Sequence, residues 1–301
     1  MDKLAREIQK LKHDRHALIL AHNYQLDEVQ AVADHVGDSF HLSKIAAQTD
    51  CAAIVFAGVR FMAETAKILA PAKTVLLPEP DAGCPLADTI AAADVENLRR
   101  LHPGAPVVCY INSSAAVKAL SDICCTSANA VKVVASLPAA KVIFVPDANL
   151  GAYVAKRLPA KELVLWKGTC VTHAKVAPRD ILAVREKHPA AKILVHPECA
   201  PAVVEMADFA GSTADIIRYA ASSRAPVLAI GTEAGVLSAI KAARPDRQVF
   251  LLHPGLVCPN MKKTRLASIH DALLHNRQQI AVDATVAGKA SQAITRMLGV
   301  V

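Results

Sequence analysis

Residues 193–213 read ILVHPECAPAVVEMADFAGST, and two other parts of the chain are built the same way. The stretch opens with a short β-branched run, 193–196, which ends in the polar loop His196-Pro197-Glu198. It closes on a second polar loop, Gly211-Ser212-Thr213, ahead of an Ala-rich segment with helical spacing, 214–221. Upstream, the first kind of loop recurs as His22-Asn23-Tyr24 and Tyr110-Ile111-Asn112. The second kind recurs as Gly37-Asp38-Ser39 and Cys125-Thr126-Ser127. A third set follows the fourth strand of each unit: Ala82-Gly83-Cys84, Gly168-Thr169-Cys170 and Leu256-Val257-Cys258. From Cys84 to Cys170 is 86 residues and from Cys170 to Cys258 is 88; Ser39 to Ser127 is 88 and Ser127 to Thr213 is 86. His22, Asn112 and His196 follow at 90 and 84. Three residue classes sharing a period of about 87 mark an internal repeat.

The runs 17–21, 53–57, 74–77, 107–110, 142–145, 163–166, 193–196, 227–230 and 249–252 are short and β-branched. Helical segments such as 60–69 and 128–136 lie between them. Alternation of this kind predicts parallel sheets made of βαβ units. The fold class expected is therefore α/β, with three similar three-layer αβα domains, each on a short parallel four-stranded sheet. The expected boundaries are 1–90, 91–175 and 176–270, with a C-terminal helix over 271–301 joining the first domain. Ligands of open α/β sheets bind beyond the carboxyl ends of the strands. A pseudo-threefold arrangement would bring all three loop sets to one central site.

The chain has 301 residues, 53% hydrophobic and only 4% aromatic. That much apolar surface excludes disorder. No charge-free apolar run reaches the length of a membrane span, and the charged N-terminus lacks the apolar core of a signal peptide. A cytoplasmic protein with no membrane partner is expected. The net charge is +7, spread along the chain. Its densest run, Lys262-Lys263-Thr264-Arg265, is too short for a nucleic-acid surface, so the charge is read as attraction for small anionic substrates. Eight cysteines without a CxxC pair exclude zinc ribbons and thioredoxin motifs, and a reducing compartment disfavours disulfides. No GxGxxG or GxxxxGK[ST] loop is present, which argues against a nucleotide cofactor.

Cys84, Cys170 and Cys258 sit beside Gly or Pro in equivalent loops. Three thiolates suit a metal centre with one open position: either a Cys₃ zinc site or an iron–sulfur cluster. Cys51, Cys109, Cys124 and Cys125 lie in apolar segments and read as core; Cys199 has no counterpart in the repeat. Ser39, Ser127 and Thr213 each read as opening a helix, where free N–H groups favour an anion. His22, Tyr24, Tyr110, Asn112, His196 and Glu198 complete the polar set, with His196 and Glu198 as an acid–base pair. His173, close to Cys170, reads equally as a supporting residue or a surface histidine. Gly231-Thr232-Glu233-Ala234-Gly235 reads as a backbone turn at the cavity.

The stretches AHNYQ, GDSFHLSK, VVCYINSSAAVKA, CTSANAV, GTCVTHAKV, VHPECAPAVVEMADFAGST, IGTEAGVL and HPGLVCPNMKKT together resemble the quinolinate synthase family of NAD biosynthesis. The resemblance spans nearly the whole chain. It implies a [4Fe–4S] cluster on Cys84, Cys170 and Cys258, one iron being open and serving as Lewis acid. It implies condensation of iminoaspartate with dihydroxyacetone phosphate to quinolinate, phosphate and water, and a transient contact with the enzyme that supplies iminoaspartate. It implies substrate binding by His22, Ser39, Tyr110, Asn112, Ser127, His196, Glu198 and Thr213, with Tyr24 and Glu198 moving protons and His196 supporting them. The chain departs from the family pattern in having no cysteine after Cys258, so no C-terminal thiol switch is expected. It also carries Ala128 where a second serine is common.

Overall fold

A computed structural model describes residues 3–300. Met1, Asp2 and Val301, which the expected units included, lie outside them. The first unit is α1 (Lys3–Asp14), β1 (Ala17–His22), α2 (Asp27–Val32), β2 (His35–Gly37), α3 (Ser39–Gln48), β3 (Ala53–Ala57), α4 (Arg60–Leu69) and β4 (Thr74–Leu76). The second is α5 (Ala92–Leu101), β5 (Val107–Tyr110), α6 (Ala115–Ala119), β6 (Ile123–Cys125), α7 (Ala130–Ser136), β7 (Lys141–Val145), α8 (Ala148–Arg157) and β8 (Glu162–Leu165). The third is α9 (Pro178–Lys187), β9 (Lys192–Val195), α10 (Pro201–Met206), β10 (Phe209–Ala210), α11 (Thr213–Ser222), β11 (Val227–Gly231), α12 (Val236–Ala243) and β12 (Gln248–Leu251). Each unit forms one four-stranded parallel sheet, in the orders β2-β1-β3-β4, β6-β5-β7-β8 and β10-β9-β11-β12.

The repeat reaches individual bonds. Just before the edge strand of each unit stands an aspartate: Asp34, Asp122 or Asp208. Its carboxylate accepts a bond from a central-strand amide, that of Ile19 (2.8 Å), Val107 (2.7 Å) or Ile193 (2.9 Å). It also pairs with a cation of the unit's first helix: Lys12 on α1, Arg99 on α5 or Arg185 on α9. An acceptor-only side chain here satisfies a backbone donor that the short edge strand cannot reach.

The central strands are apolar between their end residues, as strands covered on both faces must be; β3 is buried along its whole length. The segment 271–301, expected as one helix, is two: α13 (Leu266–His275) and α14 (Ala284–Gly299). Asn276 in the left-handed region ends the first, and Asp283 caps the second through the Thr285 and Val286 amides. α13 packs on α1 of the first unit, while α14 lies on α6 and β6 of the second and touches α4 of the first. No helix of the described residues is long and apolar enough to cross a membrane.

Candidate active site

The polar loops at the carboxyl ends of the strands meet in one small cavity of about 80 Å³. The first unit lends it His22, Tyr24, Ser39 and Cys84. The second lends Tyr110, Asn112, Ser127 and Cys170, and the third His196, Glu198, Thr213 and Cys258. Every site residue singled out in the sequence thus lines one chamber, in three equivalent sets. Local placement differs at the hydroxyls. Asp38 and Ser212, not Ser39 and Thr213, cap their helices, accepting bonds from the amides of His41 and Asp215. Ser39 and Thr213 are the first helical residues, so their hydroxyls are released from capping. Ser127 lies in the turn ahead of α7, which begins only at Ala130.

The two histidines at the ends of β1 and β9 are set identically. His22 Nδ1 accepts the Tyr24 amide at 3.1 Å, and His196 Nδ1 accepts the Glu198 amide at 3.2 Å. With Nδ1 occupied as an acceptor, the single proton of a neutral ring is on Nε2. His196 Nε2 lies 3.1 Å from Ser127 Oγ. Burial drives both rings down to about 3, and His196 and Lys262 push His22 further in the same direction. Both are therefore neutral N–H donors at neutral pH.

Glu198 is buried and crowded with donors. Tyr110 donates to Oε1 at 2.5 Å, and His173 Nδ1 lies 2.7 Å from Oε2. Burial alone would raise this carboxyl; His173, His196 and the bonds from His173 and Tyr110 outweigh it and hold the group below the ordinary range. A carboxylate only accepts, so His173 donates from Nδ1, and its Nε2 lies 2.9 Å from Thr232 Oγ1. Thr232 Oγ1 is 2.8 Å from the Tyr24 hydroxyl, itself 2.8 Å from Thr213 Oγ1. One hydrogen-bonded chain therefore runs Thr213–Tyr24–Thr232–His173–Glu198. Burial and Glu198 raise the Tyr24 phenol well above its usual value, keeping it protonated. Asn112 Oδ1 is buried without a partner, an acceptor awaiting a donor.

Burial pushes the thiol of Cys84 up to about 12 and raises those of Cys170 and Cys258. Such thiols ionise only with a cation to compensate them. Cys51, Cys109, Cys124, Cys125 and Cys199 are buried and free of disulfides; the Cys199 thiol points to the Gly231 carbonyl at 3.4 Å. Two acidic residues behind the cysteine loops were given no side-chain role by the sequence reading, which took Glu233 only as part of a turn at the cavity. Asp147 and Glu233 follow the third strands of the second and third units, 86 residues apart. The Cys170 amide faces Asp147, and the Cys258 amide donates to Glu233 at 3.1 Å. Their common offset was the available signal, masked because the first unit has Val59-Arg60 there. Gly168 lets the Cys170 loop close down: a Cβ would lie 2.5 Å from the Pro146 carbonyl.

An outer groove shares Asp38 with the cavity and runs past Phe40, Ala128 and Ala214, next in chain to the three cavity hydroxyls. Lys44, Lys132 and Arg218 line it, each five residues beyond Ser39, Ser127 or Thr213. Arg218 is paired with Asp215 at 2.9 Å and Lys44 lies over the Phe40 ring. Asp38 and Asp215 line the same groove, so its three cations are partly offset by two carboxylates.

Comparison with known proteins agrees with this geometry. Residues 6–299 match the model of the family described as quinolinate synthetase A protein. A quinolinate synthase of Caldicellulosiruptor saccharolyticus is 54% identical over 298 residues, covering 99% of this chain and 98% of that protein. The quinolinate synthase of Alkaliphilus metalliredigens is 52% identical, covering 97% and 96%. That of Thermodesulfovibrio yellowstonii is 48% identical, covering 99% and 98%. With its three equivalent loop sets, its full-length match and these relatives, the chain belongs to the quinolinate synthetase A family of enzymes.

Proposed function

We propose that this chain condenses iminoaspartate with dihydroxyacetone phosphate to quinolinate, releasing phosphate and two waters, and that Cys84, Cys170 and Cys258 hold a [4Fe–4S] cluster. The observation that carries the reading is one cysteine from each unit opening on a chamber lined by neutral imidazoles and hydroxyls. The donor set fits the group. A single tetrahedral zinc would gather three sulfurs to ~3.8 Å from one another, given Zn–S bonds of about 2.3 Å. Among the described residues, the donors within 4.8 Å of one another are instead Cys170, His173 and Glu198; the three cysteines do not all lie that close, which disfavours a single zinc held by all three. When bound, the cluster supplies an iron without a cysteine, a Lewis acid toward a substrate hydroxyl or carboxylate.

The protein's own groups do the rest. The Nε2–H groups of His22 and His196, with the hydroxyls of Ser39, Ser127 and Thr213, bind carboxylate and phosphate oxygens. The N-terminal dipoles of α3 and α11 point toward the same anions. Glu198, ionised and fixed by Tyr110, accepts a proton from substrate carbon or nitrogen. Tyr24, protonated, donates one to a leaving hydroxyl, and the Thr232–His173 link joins the two along hydrogen bonds. Burial of the chamber keeps water from hydrolysing the imine.

The test is anaerobic purification of the parent and Cys170→Ala proteins, with iron, sulfide and zinc analysis, then the synthase assay. About four irons and four sulfides per chain, lost in the variant, together with quinolinate formation, are the expected result. A second reading is favoured by the tight Cys170–His173–Glu198 group, which suits one zinc ion. One zinc without sulfide would overturn the cluster and establish that alternative.

A further inference from the structure

The third unit grips the backbone of the Tyr24 segment at points separate from the hydroxyl chain. Glu233 is fully buried. Its Oε1 accepts the Cys258 amide at 3.1 Å and its Oε2 the Gly235 amide at 2.7 Å. Lys262 Nζ lies 3.0 Å from Oε1 and 3.1 Å from Oε2, and donates to the Tyr24 carbonyl at 2.5 Å. An ammonium has three donors, and here they face three acceptors, two on Glu233 and one on the first unit. Gly235 adds a close approach, since a Cβ there would lie 2.4 Å from the Asn23 carbonyl oxygen and 2.7 Å from Tyr24 Cα. From the other side, Gln30 donates to the carbonyls of Asn23, Gln25 and Gly235.

We propose that Glu233 and Lys262 are positioning residues that tie the Cys258 loop to the Tyr24 segment, so that occupation of the cysteines and alignment of the Tyr24 hydroxyl are coupled. Glu233 holds the backbone of the cysteine itself, and Lys262 carries that constraint across to Tyr24. A shift of the Cys258 loop on binding a metal group therefore moves, or rigidifies, the residue that donates a proton. Linkage makes the coupling reciprocal: ordering the Tyr24 segment favours occupation of the cysteines. The kinetic part of this inference rests on the synthase reading; the structural part does not.

The experiment is amide hydrogen exchange on the full chain, metal-free and after reconstitution with iron and sulfide. The reporters are the amides of Asn23, Tyr24 and Gln25, bonded to Gly37 O, His22 Nδ1 and His22 O. In metal-free protein, Lys262→Met is expected to speed their exchange at least ~10-fold, the scale of a lost charged hydrogen bond, leaving the β9 amides unchanged. Gly235→Ala, which alters no bonding side chain, is expected to do the same. Reconstitution slows these amides in the parent and not in Lys262→Met. In the synthase assay Lys262→Met lowers kcat ~10- to 100-fold with KM within about 2-fold, and Lys262→Arg restores most of it. Unchanged exchange in both Lys262→Met and Gly235→Ala overturns the proposal, as does equal slowing on reconstitution in parent and Lys262→Met. A parent that makes no quinolinate sinks the synthase reading alone, because the exchange measurements, metal-free and reconstituted, still decide the coupling.

Discussion

The seam between the first and second units and the seam around the third unit are made of different chemistry. The first two share one apolar core, in which Leu42, Phe61 and Met62 join Val117, Val133 and Phe144, with Ile294 and Met297 of α14 laid across both. The third unit keeps two clusters of its own, and the residue of another unit packed against either is Tyr24. Apart from Met261, which is buried in the core of the first two units, it meets its neighbours through polar bonds: Tyr110 and Asn149 to Glu198, Ser127 with His196, Tyr153 to the Ala210 carbonyl, Lys156 to Glu205 and Lys262 to Tyr24. Dehydrated apolar area is lost only with a large penalty, whereas each polar bond contributes about 1 kcal/mol net and is exchangeable for water. The site is thus built on the polar seam, and the first two units form its apolar support.

The largest expected effect strikes the polar seam at its centre. Glu198→Gln should lower kcat ~10²- to 10⁴-fold while iron content and melting temperature stay near the parent's; full activity would remove Glu198 from the chemistry. Across the apolar seam, Phe144→Ala should destabilise the chain by about 3–5 kcal/mol in chemical denaturation. Tyr153→Phe, on the polar seam, should lose only about 1 kcal/mol, and equal losses would erase the contrast.

Titration sharpens the comparison further. His22 and His196 are held at about 3 in the folded chain by burial, against ~6.5 in the unfolded one. Between those values the unfolded chain binds more protons, so stability rises with pH across this window and falls as the pH drops through it. Metal-free protein should lose about 1.5 kcal/mol per ring between pH 6.5 and 5, and His22→Gln should flatten that slope by one ring's share. An unaltered slope would show that His22 is solvated. The smallest effect belongs to the outer groove. Combined Lys44→Gln, Lys132→Gln and Arg218→Gln changes should lower kcat/KM for dihydroxyacetone phosphate ~2- to 10-fold at low salt and flatten its salt dependence, with kcat unchanged. Parental salt dependence in the triple variant would exclude steering through this groove.

Much of this architecture was legible in the sequence because it is local or periodic. The nine β-branched runs correspond to central and outer strands within about one residue. The edge strands β2, β6 and β10, two or three residues long, are too short to show alternation, although the polar loops after them stood out. The hydroxyls were placed at the helix starts but one or more residues from the true caps, since Ser, Thr and Asp all suit the N-cap and the choice falls to neighbours. His173, read equally as support or surface, is buried in the Tyr24–Glu198 chain. Thr232 and Glu233 were taken for turn geometry and Lys262 for part of a charge run, because each acquires its role from a partner in distant sequence.

The sequence by itself determined the three parallel α/β units and the matched sets of cysteines, hydroxyls and strand-end polar groups, since strand and helix periods and an ~87-residue repeat are written along the chain. Only the tertiary structure decided which of those groups touch. Tyr24 meets Thr232 across 208 residues and Lys262 across 238, and a bond between residues that far apart leaves no trace in local pattern. The same is true of the seams: burial of both faces made every unit apolar, and the packing of α14 over the first two units settled that they share a core while the third is joined through its site.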